Sequence, residues 1–524
     1  MPKFYVTTTL PYVNADPHIG FAMEIIRADV LARYHALLGD EVIFNTGTDE
    51  HGLKIFRKAE ENGETPQAYT DRYATKFHVL KEALNLTYTH FTRTTDAHHV
   101  AAAQAFWMRC FENDTIYKKQ YQVKYCVGCE LEKTDSELVD GKCPLHPNQA
   151  LELIDEENYF FRFSKFQQPL LDLYDRDPDF VKPAFRQKEI RNFVAAGLTD
   201  FSISRLKTKM PWGVAVPNDP DHVMYVWFDA LVNYLSVLGW PEDQANVDAF
   251  WPDVQLCGKD NLRQQTAMWP AMLFAAGIAP PKRVYVGGFI TANGQKMSKS
   301  LGNVIDPIKL CEEQGTDTVR YFLMREAAFG EDLDFSLERL QGRYASDLGN
   351  TLGNLVNRVI AMSRKYFDGC VPTVPKDVVL ASSEAWGGEM GLEELVKTIA
   401  PLMEDCRFDA ALEAIWQGAG EGKKSGLVQA NKYIEETQPF KLIKTDPDAV
   451  AHILYSLLEA CRWYAWMLYP VMPQTAEKIW TQLGIEVKME LEKGWRKGLV
   501  WGGLKQGSAL QEPTPLFPRP EAGA

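Results

Sequence analysis

The sequence lacks an apolar run long enough to cross a membrane. Its apolar central stretch, residues 268–281, is 14 residues long and contains proline and glycine, whereas a spanning helix needs roughly 20 apolar residues. The first residues contain one lysine, Lys3, followed by a strand-like segment and not by the apolar core of a signal peptide. We therefore expect a cytoplasmic protein that does not associate with membranes.

An excess of positive charge is also missing. The 56 Lys and Arg residues against 70 Asp and Glu residues give a formal net charge of −14. This excludes a generic nucleic-acid coat protein, since such proteins are basic overall. It does not exclude a protein that reads one particular RNA through local patches, because affinity comes from individual phosphate contacts.

The cysteines do not form the even, regularly spaced set of a secreted disulfide framework. Nine are present in a long chain and most stand alone, which favours a metal site over disulfides. Three of them cluster with a histidine as Cys126-x2-Cys129-x13-Cys143-x2-His146. Three thiolates and one imidazole make a closed tetrahedral Zn²⁺ site with no position left for water. The spacing predicts one structural zinc ion per chain.

Strands and helices alternate through the first part of the sequence. The β-branched segment 5–10 predicts a strand, and apolar residues between 19 and 37 recur at helical spacing, which predicts a helix with one buried face. Asp16 and Pro17 are typical of an N-cap and a first helical residue. A second strand leads to the polar segment 47–52, and in parallel α/β sheets ligands bind beyond such strand ends.

The alternation stops between residues 113 and 222, the region of the cysteine–histidine cluster, and strand-like segments return after it. From about residue 345 to 480 the apolar pattern is helical. The sequence therefore predicts a parallel sheet interrupted by an inserted module and followed by an all-helical domain. The segment 481–524 has a mixed pattern that predicts no particular structure.

Two short motifs carry the strongest functional signal. His18-Ile19-Gly20 stands at the start of the first predicted helix, where unpaired N–H groups favour a phosphate. The polar loop 296–300, Lys-Met-Ser-Lys-Ser, offers two mobile ammonium groups suited to a polyphosphate. Together they resemble the signatures of the class I aminoacyl-tRNA synthetases. Within that class the sequence is similar to the methionyl-tRNA synthetases from residue 4 to 519.

The resemblance implies an ATP-dependent methionine–tRNA ligase. It would activate methionine to methionyl-adenylate with release of pyrophosphate, then transfer it to the terminal ribose of tRNA(Met), with Mg²⁺ on the ATP phosphates. The catalytic residues implied are His18, Lys296 and Lys299. The ATP-binding residues implied are these three together with Gly20, Phe21 and Asp260. Phe21 occupies a position that is usually histidine in the class, which removes one imidazole from the adenosine site.

The methionine pocket is also assigned through the resemblance. The implied residues are Thr9, Leu10, Tyr12, Asp49, Trp227, Ala230, Leu231, Tyr234, Asn261 and Gln265. Asp49 would pair with the α-ammonium group of the substrate, and aromatic rings would contact its sulfur. Asn261 and Gln265 depart from the family, which more often has isoleucine and histidine there. We expect Gln265 to bond a neighbouring tyrosine hydroxyl or the sulfur, and Asn261 to turn toward backbone groups.

The helical domain is expected to read the anticodon. The residues implied are Asn354 and Arg358, four apart on one helix face, and Phe440, which stands where the family has a tryptophan that stacks on a base. A glycine-rich stretch, 418–426, imitates a phosphate-binding loop, but its spacing is wrong and no strand precedes it. We interpret this stretch as a flexible loop insertion.

The predicted fold class is α/β, with a Rossmann-type doubly wound catalytic domain split by a zinc-binding connective insertion and followed by an all-helical anticodon-binding domain. The predicted domains are the first half of the catalytic domain (1–112), the connective insertion with its zinc knuckle (113–222), the second half of the catalytic domain (223–300), a stem-contact linker region (301–345), the helical anticodon-binding domain (346–480) and the C-terminal tail (481–524). The family often adds a dimerising module at the C-terminus, and without one we expect a monomer.

Two alternatives stay open. A synthetase-like RNA-binding module that has lost amino-acid activation would explain Phe21, Asn261 and Gln265, although the intact charged residues of both motifs argue against it. A synthetase for another amino acid is the second alternative, but the insertion of about 110 residues is too short for the editing domain that branched aliphatic specificities require. Exchange of pyrophosphate into ATP with a panel of amino acids separates the three.

Overall fold

Parallel strands alternate with helices in the N-terminal part of the chain, and helices predominate after it. The computed structural model describes residues 1–129, 131–133, 137–292, 294–297, 303–374, 386–420 and 422–518. The strands, numbered in chain order, are β1 (Lys3–Thr8), β2 (Glu41–Thr48), β3 (His90–Arg93), β4 (Ile116–Cys126), β5 (Leu131–Lys133), β6 (Glu152–Phe161), β7 (Val181–Lys182), β8 (Phe201–Ser202), β9 (Ser204–Leu206), β10 (Ala215–Val216), β11 (Asp219–Met224), β12 (Val254–Gly258), β13 (Arg283–Gly287), β14 (Ile290–Ala292), β15 (Gln295–Lys296) and β16 (Leu333–Phe335).

The helices, numbered in the same way, include several single turns. They are α1 (Ile19–Leu38), α2 (Leu53–Glu61), α3 (Pro66–His78), α4 (Leu80–Ala83), α5 (Ala97–Glu112), α6 (Gln167–Arg176), α7 (Ala184–Ala195), α8 (Val226–Ala230), α9 (Asn233–Ser236), α10 (Gln244–Phe250), α11 (Trp269–Ala275), α12 (Pro307–Gln314), α13 (Thr316–Arg325), α14 (Leu337–Arg343), α15 (Asn354–Tyr366), α16 (Gly388–Glu404), α17 (Phe408–Gln417), α18 (Leu427–Thr437), α19 (Pro439–Leu442), α20 (Pro447–Leu468), α21 (Pro473–Gln482), α22 (Val487–Glu492) and α23 (Gly494–Gly498).

The N-terminal part of the fold contains a six-stranded parallel sheet in the order β3-β2-β1-β12-β13-β7. The loops that follow its strands lie at the carboxyl edge of the sheet. β1 lies at its centre, where Thr7 is opposite Asn45 of β2 on one side and Gln255 of β12 on the other. The three strands from before the insertion therefore lie directly beside the two from after it in one sheet, as the sequence predicts. Because all six strands are parallel, their carboxyl ends share an edge.

The sixth strand of the sheet comes from inside the predicted insertion. β7 pairs with β13 through Val181 and Lys182, so the segment 113–222 contributes to the six-stranded sheet as well as forming its own module. A strand of two residues has no periodicity to detect, which is why the sequence does not show it. The rest of the insertion includes an antiparallel sheet in the order β5-β4-β6-β8.

Helix α1 differs from its prediction in two ways. Its N-cap is His18 and not Asp16, because the helix begins two residues later than expected and the His18 ring itself accepts from the N–H of Gly20. The helix is also buried on all sides and not on one face alone. The sheet covers one side, while helices from the second half of the chain cover the other, including α13 and α23.

The segment after residue 480 returns to the N-terminal part of the fold and packs against α1. Trp495 of α23 packs edge-on against Tyr34 of α1, with ring centroids 5.3 Å apart. Further along, the hydroxyl of Tyr344 donates to the carbonyl of Pro518 at 2.6 Å. This tail thus contacts both the first helix and the start of the helical domain. In the described part of the chain, no helix has the length and apolarity that crossing a membrane requires.

One buried guanidinium joins these parts. Arg320 of α13 is fully buried and donates to Oδ2 of Asp29 in α1 at 2.7 Å. It also donates to the carbonyls of Leu84, Pro470 and Val471, at 2.9, 3.0 and 2.8 Å. Burial acts to raise the pKa of Asp29, but the nearby guanidinium groups reverse this effect and lower it. The arrangement links the sheet layer, the linker and the last helices through one side chain.

We predict that Arg320→Met lowers the free energy of unfolding by about 3–5 kcal/mol, because it leaves the charge of Asp29 buried with one partner fewer. Arg57→Met is the matched control, since the side chains of Arg57 and Glu152 are each 43% exposed and their ion pair lies at the surface, where such pairs contribute roughly 0–1 kcal/mol. Urea unfolding followed by circular dichroism measures both. Equal, small effects of the two substitutions would contradict the assignment.

Candidate active site and metal centre

A cavity of about 690 Å³ opens where strands β1, β2, β12 and β13 end. The loops that follow these strands and the first turns of α1 form its lining. The predicted ATP- and methionine-binding residues that line it are Thr9, Leu10, Tyr12, His18, Gly20, Phe21, Asp49, Trp227, Asp260 and Asn261. The structure therefore brings together residues that are as much as 250 positions apart in the sequence.

His18 is oriented by the helix that it caps. Its Nδ1 accepts a hydrogen bond from the backbone N–H of Gly20 at 3.1 Å, so in the neutral ring the proton is on Nε2, which is left to donate. A Cβ at position 20 would lie 3.0 Å from the imidazole, so glycine gives the ring room for this position. Burial lowers the pKa of His18, and the negative charge of Asp260 partly offsets this effect.

Phe21 presents an aromatic wall where an imidazole was expected for the class. Its ring packs edge-on against Phe77, with centroids 5.6 Å apart, and both residues line the cavity. This pair offers apolar and π contacts but no hydrogen bond to a nucleotide.

Two charged residues of α1 reach the same cavity and were missed by the sequence analysis. Glu24 Oε1 accepts from the N–H and the hydroxyl of Thr9, at 2.8 and 2.6 Å, and burial raises the pKa of Glu24 to about 7. Arg27 lies over the ring of Phe329, 4.8 Å from its centroid, and burial lowers its pKa to about 10. The sequence contains no periodic signal for these two residues, because the helix also carries Asp29 and Arg33 and is buried on all sides.

Asp49 is fixed by a pairing between two loops. Its backbone bridges to Tyr12, with the N–H of Val13 donating to the Asp49 carbonyl at 3.2 Å. The next residue, Glu50, accepts two hydrogen bonds from Arg93, at 2.7 and 2.9 Å. The loop that carries the buried Asp49 side chain is thereby held at both ends.

His51 connects this loop to the helix that carries Trp227. Its Nδ1 lies 3.1 Å from Oδ2 of Asp229 in α8, and His99 Nε2 lies 3.4 Å from the other carboxylate oxygen. Burial acts to raise the pKa of Asp229, whereas the two imidazoles reverse the effect and lower it. The buried cluster sets α8, and with it the Trp227 ring, relative to Asp49.

The expected bond of Gln265 to a tyrosine is confirmed. Gln265 Nε2 donates to the hydroxyl oxygen of Tyr234 at 2.6 Å, and both side chains are buried. Gln265 lies in a π-helical turn, Gln264–Met268, a local widening that is frequent at functional sites. Asn261 is half-buried and lines the cavity, and its expected turn toward the backbone stays a prediction. The remaining predicted pocket residues are buried and stand outside the described lining: Ala230, Leu231, Tyr234 and Gln265.

The loop with the two motif lysines is only partly described. The backbone of Lys296 pairs with Thr291 in the hairpin of β14 and β15, and Met297 lines the cavity. This places the start of the loop at the cavity edge. Lys299 and the side chain of Lys296 lie outside the described residues.

The cysteine–histidine cluster converges as the spacing predicts. One donor atom from each of Cys126, Cys129, Cys143 and His146 lies within 4.8 Å of all the others, and Nδ1 is the imidazole atom that faces the thiols. A Cβ on Gly128 would lie 2.5 Å from the His146 ring, so glycine is required for the turn to close. Three thiolates and one imidazole fit a tetrahedral metal ion.

The metal cluster also forms part of the cavity wall. Gly128, Cys129 and His146 line the same cavity as His18 and the Asp49 loop. Lys54 of α2 donates to the carbonyl of Gly128 at 3.5 Å, and its ammonium lies 5.7 Å from the ring centroid of Tyr12. The insertion thus contacts the catalytic domain at the site itself.

The predicted anticodon residues lie on adjoining helices. Asn354 and Arg358 of α15 contact Asn431 and Glu435 of α18, and Phe440 of α19 is 41% exposed. An exposed aromatic ring of this size beside polar side chains can stack on a base.

The described residues of the glycine-rich stretch form a loop, as expected, and this loop makes specific contacts. Ala419 bridges to Lys424, and Ser425 is fully buried with its hydroxyl donating to the Trp386 carbonyl at 2.6 Å. The glycines supply the positive φ angles of a tight turn, 82° at Gly418 and 80° at Gly422. The described residues of this stretch therefore anchor the start of α18.

Comparison with known proteins finds similarity along nearly the whole chain. A family model described as "tRNA synthetases class I (M)" matches residues 4–152 and 146–360, and one described as "Anticodon binding domain of methionyl tRNA ligase" matches residues 390–521. The methionine–tRNA ligase of Thermosynechococcus vestitus is 43% identical over 98% of this chain and 97% of its own length. That of Thermotoga maritima is 40% identical over 99% of this chain and 81% of its own length.

The solved structures agree with these relatives. The Mycobacterium tuberculosis methionyl-tRNA synthetase in complex with methionyl-adenylate superposes with a TM-score of 0.92, at 39% identity, over 99% of this chain and 100% of that one. Its apo form gives a TM-score of 0.86 at 36% identity, over 99% of each chain. The similarity thus extends across the sheet, the insertion and the helical domain.

We predict that the purified protein carries one metal ion per chain and that Cys126→Ala loses it, since three remaining donors leave the site open. Cys370→Ala is the control, because Cys370 is half-buried like Cys129 but lies outside the cluster. Elemental analysis of both proteins is the measurement. Metal-free wild-type protein, or unchanged metal in Cys126→Ala, would refute the site.

Proposed function

The chain belongs to the methionyl-tRNA synthetase family of class I, and from this premise we propose the roles of its residues in an ATP-dependent ligase that joins methionine to tRNA(Met). The observation that carries the proposal is the cavity at the strand ends, where a helix N-terminus with His18 lies in the same lining as Asp49 and Asp260. These groups suit a phosphate, an ammonium and a ribose of one composite substrate.

The first step is attack of the methionine carboxylate on the α-phosphorus of ATP, which forms methionyl-adenylate and releases pyrophosphate. His18 Nε2 donates to a phosphate oxygen as negative charge builds up on it. The first N–H groups of α1 are already paired, that of Ile19 with the Ile305 carbonyl and that of Gly20 with His18 Nδ1, so the helix adds the positive end of its dipole and not free donors. Lys296 and Lys299 follow the leaving pyrophosphate with their charges. Mg²⁺ enters with ATP as a counterion of its phosphates.

The nucleotide and the amino acid occupy neighbouring parts of the cavity. Gly20 leaves room for the base or the ribose, Phe21 contacts it through its ring, and Asp260 accepts from the ribose hydroxyls. Asp49 binds the α-ammonium group of methionine, because a buried carboxylate forms a strong charge-assisted hydrogen bond. This arrangement orients the carboxylate of methionine toward the α-phosphate.

The methionine side chain is bound by aromatic and small residues. Tyr12 and Trp227 line the cavity, and an aromatic ring is a favourable contact for a polarizable thioether. Thr9, Leu10 and Asn261 complete the open part of the pocket. The buried remainder, Ala230, Leu231, Tyr234 and Gln265, forms its floor. The hydrogen bond between Gln265 and Tyr234 supports a fixed position for both side chains, although Gln265 stands where the family more often has a histidine.

In the second step, a hydroxyl of the terminal ribose of tRNA attacks the carbonyl carbon of the adenylate and AMP leaves. The helical domain selects the tRNA through Asn354, Arg358 and Phe440, which read or stack on anticodon bases. The match of residues 390–521 to an anticodon-binding family supports this role for the part of the domain that contains Phe440. Asn354 and Arg358 lie in the segment 146–360, which matches the class I synthetase model. For the other domains we propose the boundaries given in the sequence analysis. The one change is that β7, from the insertion, belongs to the catalytic sheet.

Zinc is the metal proposed for the cysteine–histidine cluster. Four protein donors leave no site for water, so the ion when bound supplies a structural cross-link and no reactive ligand. It holds the turn that carries Gly128 against the cavity. A cytoplasmic monomer stays the expectation for location and assembly.

We predict that Lys299→Ala and Arg358→Ala affect different steps. Lys299→Ala should greatly slow ATP–pyrophosphate exchange, because its charge is needed in the transition state of adenylate formation. Arg358→Ala should leave exchange nearly intact and weaken tRNA charging. Exchange and aminoacylation rates measured on the same preparations test this. Loss of the same step in both variants would show that the roles of the two domains are assigned wrongly.

We predict that Gln265→Ala weakens methionine binding by about 1–3 kcal/mol, the cost of leaving a buried partner unsatisfied, with little change in ATP binding. Tyr234→Phe should have a similar effect, and the double variant should be no worse than either, because both remove one bond. Exchange kinetics with methionine, leucine, norleucine, homocysteine and glutamine are the measurement. A polar amino acid activated more efficiently than methionine would overturn the specificity.

A further inference from the structure

Two polar contacts join the predicted anticodon helix to its neighbour. Asn354 Nδ2 donates to Oδ1 of Asn431 at 3.1 Å, and Arg358 Nη2 lies 2.7 Å from Oε1 of Glu435. Asn431 and Glu435 are four residues apart on α18, and Asn354 and Arg358 are four residues apart on α15. The two residues on each helix therefore lie on one face of that helix. We call these two contacts the reader rungs.

The amide of Asn431 has its orientation fixed by the backbone. Its Nδ2 donates to the carbonyls of Thr351 and Leu427, both at 3.0 Å, which uses both of its N–H groups. Its oxygen is then the only atom that can face Asn354. The Asn354 amide must present its own N–H to Asn431, and its Oδ1 is consequently directed elsewhere as an acceptor.

Glu435 restricts the guanidinium of Arg358 in a comparable way. The Arg358 side chain is 28% exposed and that of Glu435 is 61% exposed, so the pair lies at the surface, where ion pairs contribute little to folding stability. The contact is made through Nη2, and a guanidinium has five N–H donors in a fixed fork. Donors therefore remain for another ligand while the side chain stays in one orientation.

We propose that Asn431 and Glu435 are positioning residues, which hold Asn354 and Arg358 in the orientation that binds anticodon bases before tRNA arrives. This inference rests on the proposed function of α15. The physical reason is that a long side chain ordered in advance loses less conformational freedom on binding. With these two contacts in place, Asn354 presents an acceptor and Arg358 presents donors at fixed positions along α15.

The test uses Glu435→Ala and Glu435→Gln, with Glu436→Ala as the matched control. Glu436 is the same residue type on the same helix and pairs with Lys432 within α18, at 3.4 Å. Glu435→Ala is expected to raise the KM for tRNA(Met) roughly two- to tenfold, the factor for ordering one long side chain on binding, at unchanged kcat. Glu435→Gln keeps an acceptor and should give a smaller rise. Glu436→Ala should leave charging unchanged.

Combining these changes with Arg358→Ala separates positioning from a general structural role. If Glu435 acts through Arg358, Glu435→Ala has no further effect on KM in the Arg358→Ala background. An equal rise in both backgrounds would overturn the proposal. So would an unchanged KM for Glu435→Ala in the wild-type background.

The second rung has its own measurement. Asn431→Asp keeps the shape of the side chain and loses both donors, so it is expected to reduce the ratio of kcat/KM between tRNA(Met) and a tRNA with one altered anticodon base. An unchanged ratio would overturn the role of this rung. Failure of the proposed function is a different result, because Arg358→Ala alone would then leave charging intact, or the wild-type enzyme would show no methionine-dependent exchange.

Discussion

The buried ion pair of Arg320 and Asp29 is the contact on which the arrangement of the domains depends. Its guanidinium also satisfies carbonyls before β3 and after α20, so the sheet layer, the linker and the helical domain meet at one side chain. A buried charge needs all of its partners, because an unpaired charge in the interior is costly.

The substrate cavity follows from the parallel sheet. Since the carboxyl ends of its strands share one edge, loops that carry His18, Asp49 and Asp260 converge although the insertion separates them in the sequence. The structure then restricts each loop by a second contact. His18 accepts from its own helix, and the His51–Asp229 pair ties the Asp49 loop to the Trp227 helix. Such supporting contacts are what keep polar groups in position for a reaction.

Much of the fold and of the candidate site was predictable from the sequence. The features that were missed leave no local or periodic pattern in it. The cysteine spacing, the split sheet and the helical domain are local or periodic patterns, and each is present in the structure. Strand β7 has only two residues, and the cap at His18 depends on ring orientation, so neither leaves a pattern. Arg320 and the tail from Trp495 act through contacts with residues hundreds of positions away, which composition and spacing do not record. Glu24 and Arg27 were hidden because a helix buried on all sides has no polar face.

The return of the tail to α1 has a consequence for the order in which the protein is made. Ribosomes release the chain from its first residue onward, so α1 leaves the exit tunnel when Trp495, which packs against its Tyr34, has yet to be synthesised. During that interval the part of α1 that packs against α23 has no native cover. This surface therefore stays without its native partner while more than 450 further residues are added. The packing around α1 is therefore completed only after residue 495 has been synthesised.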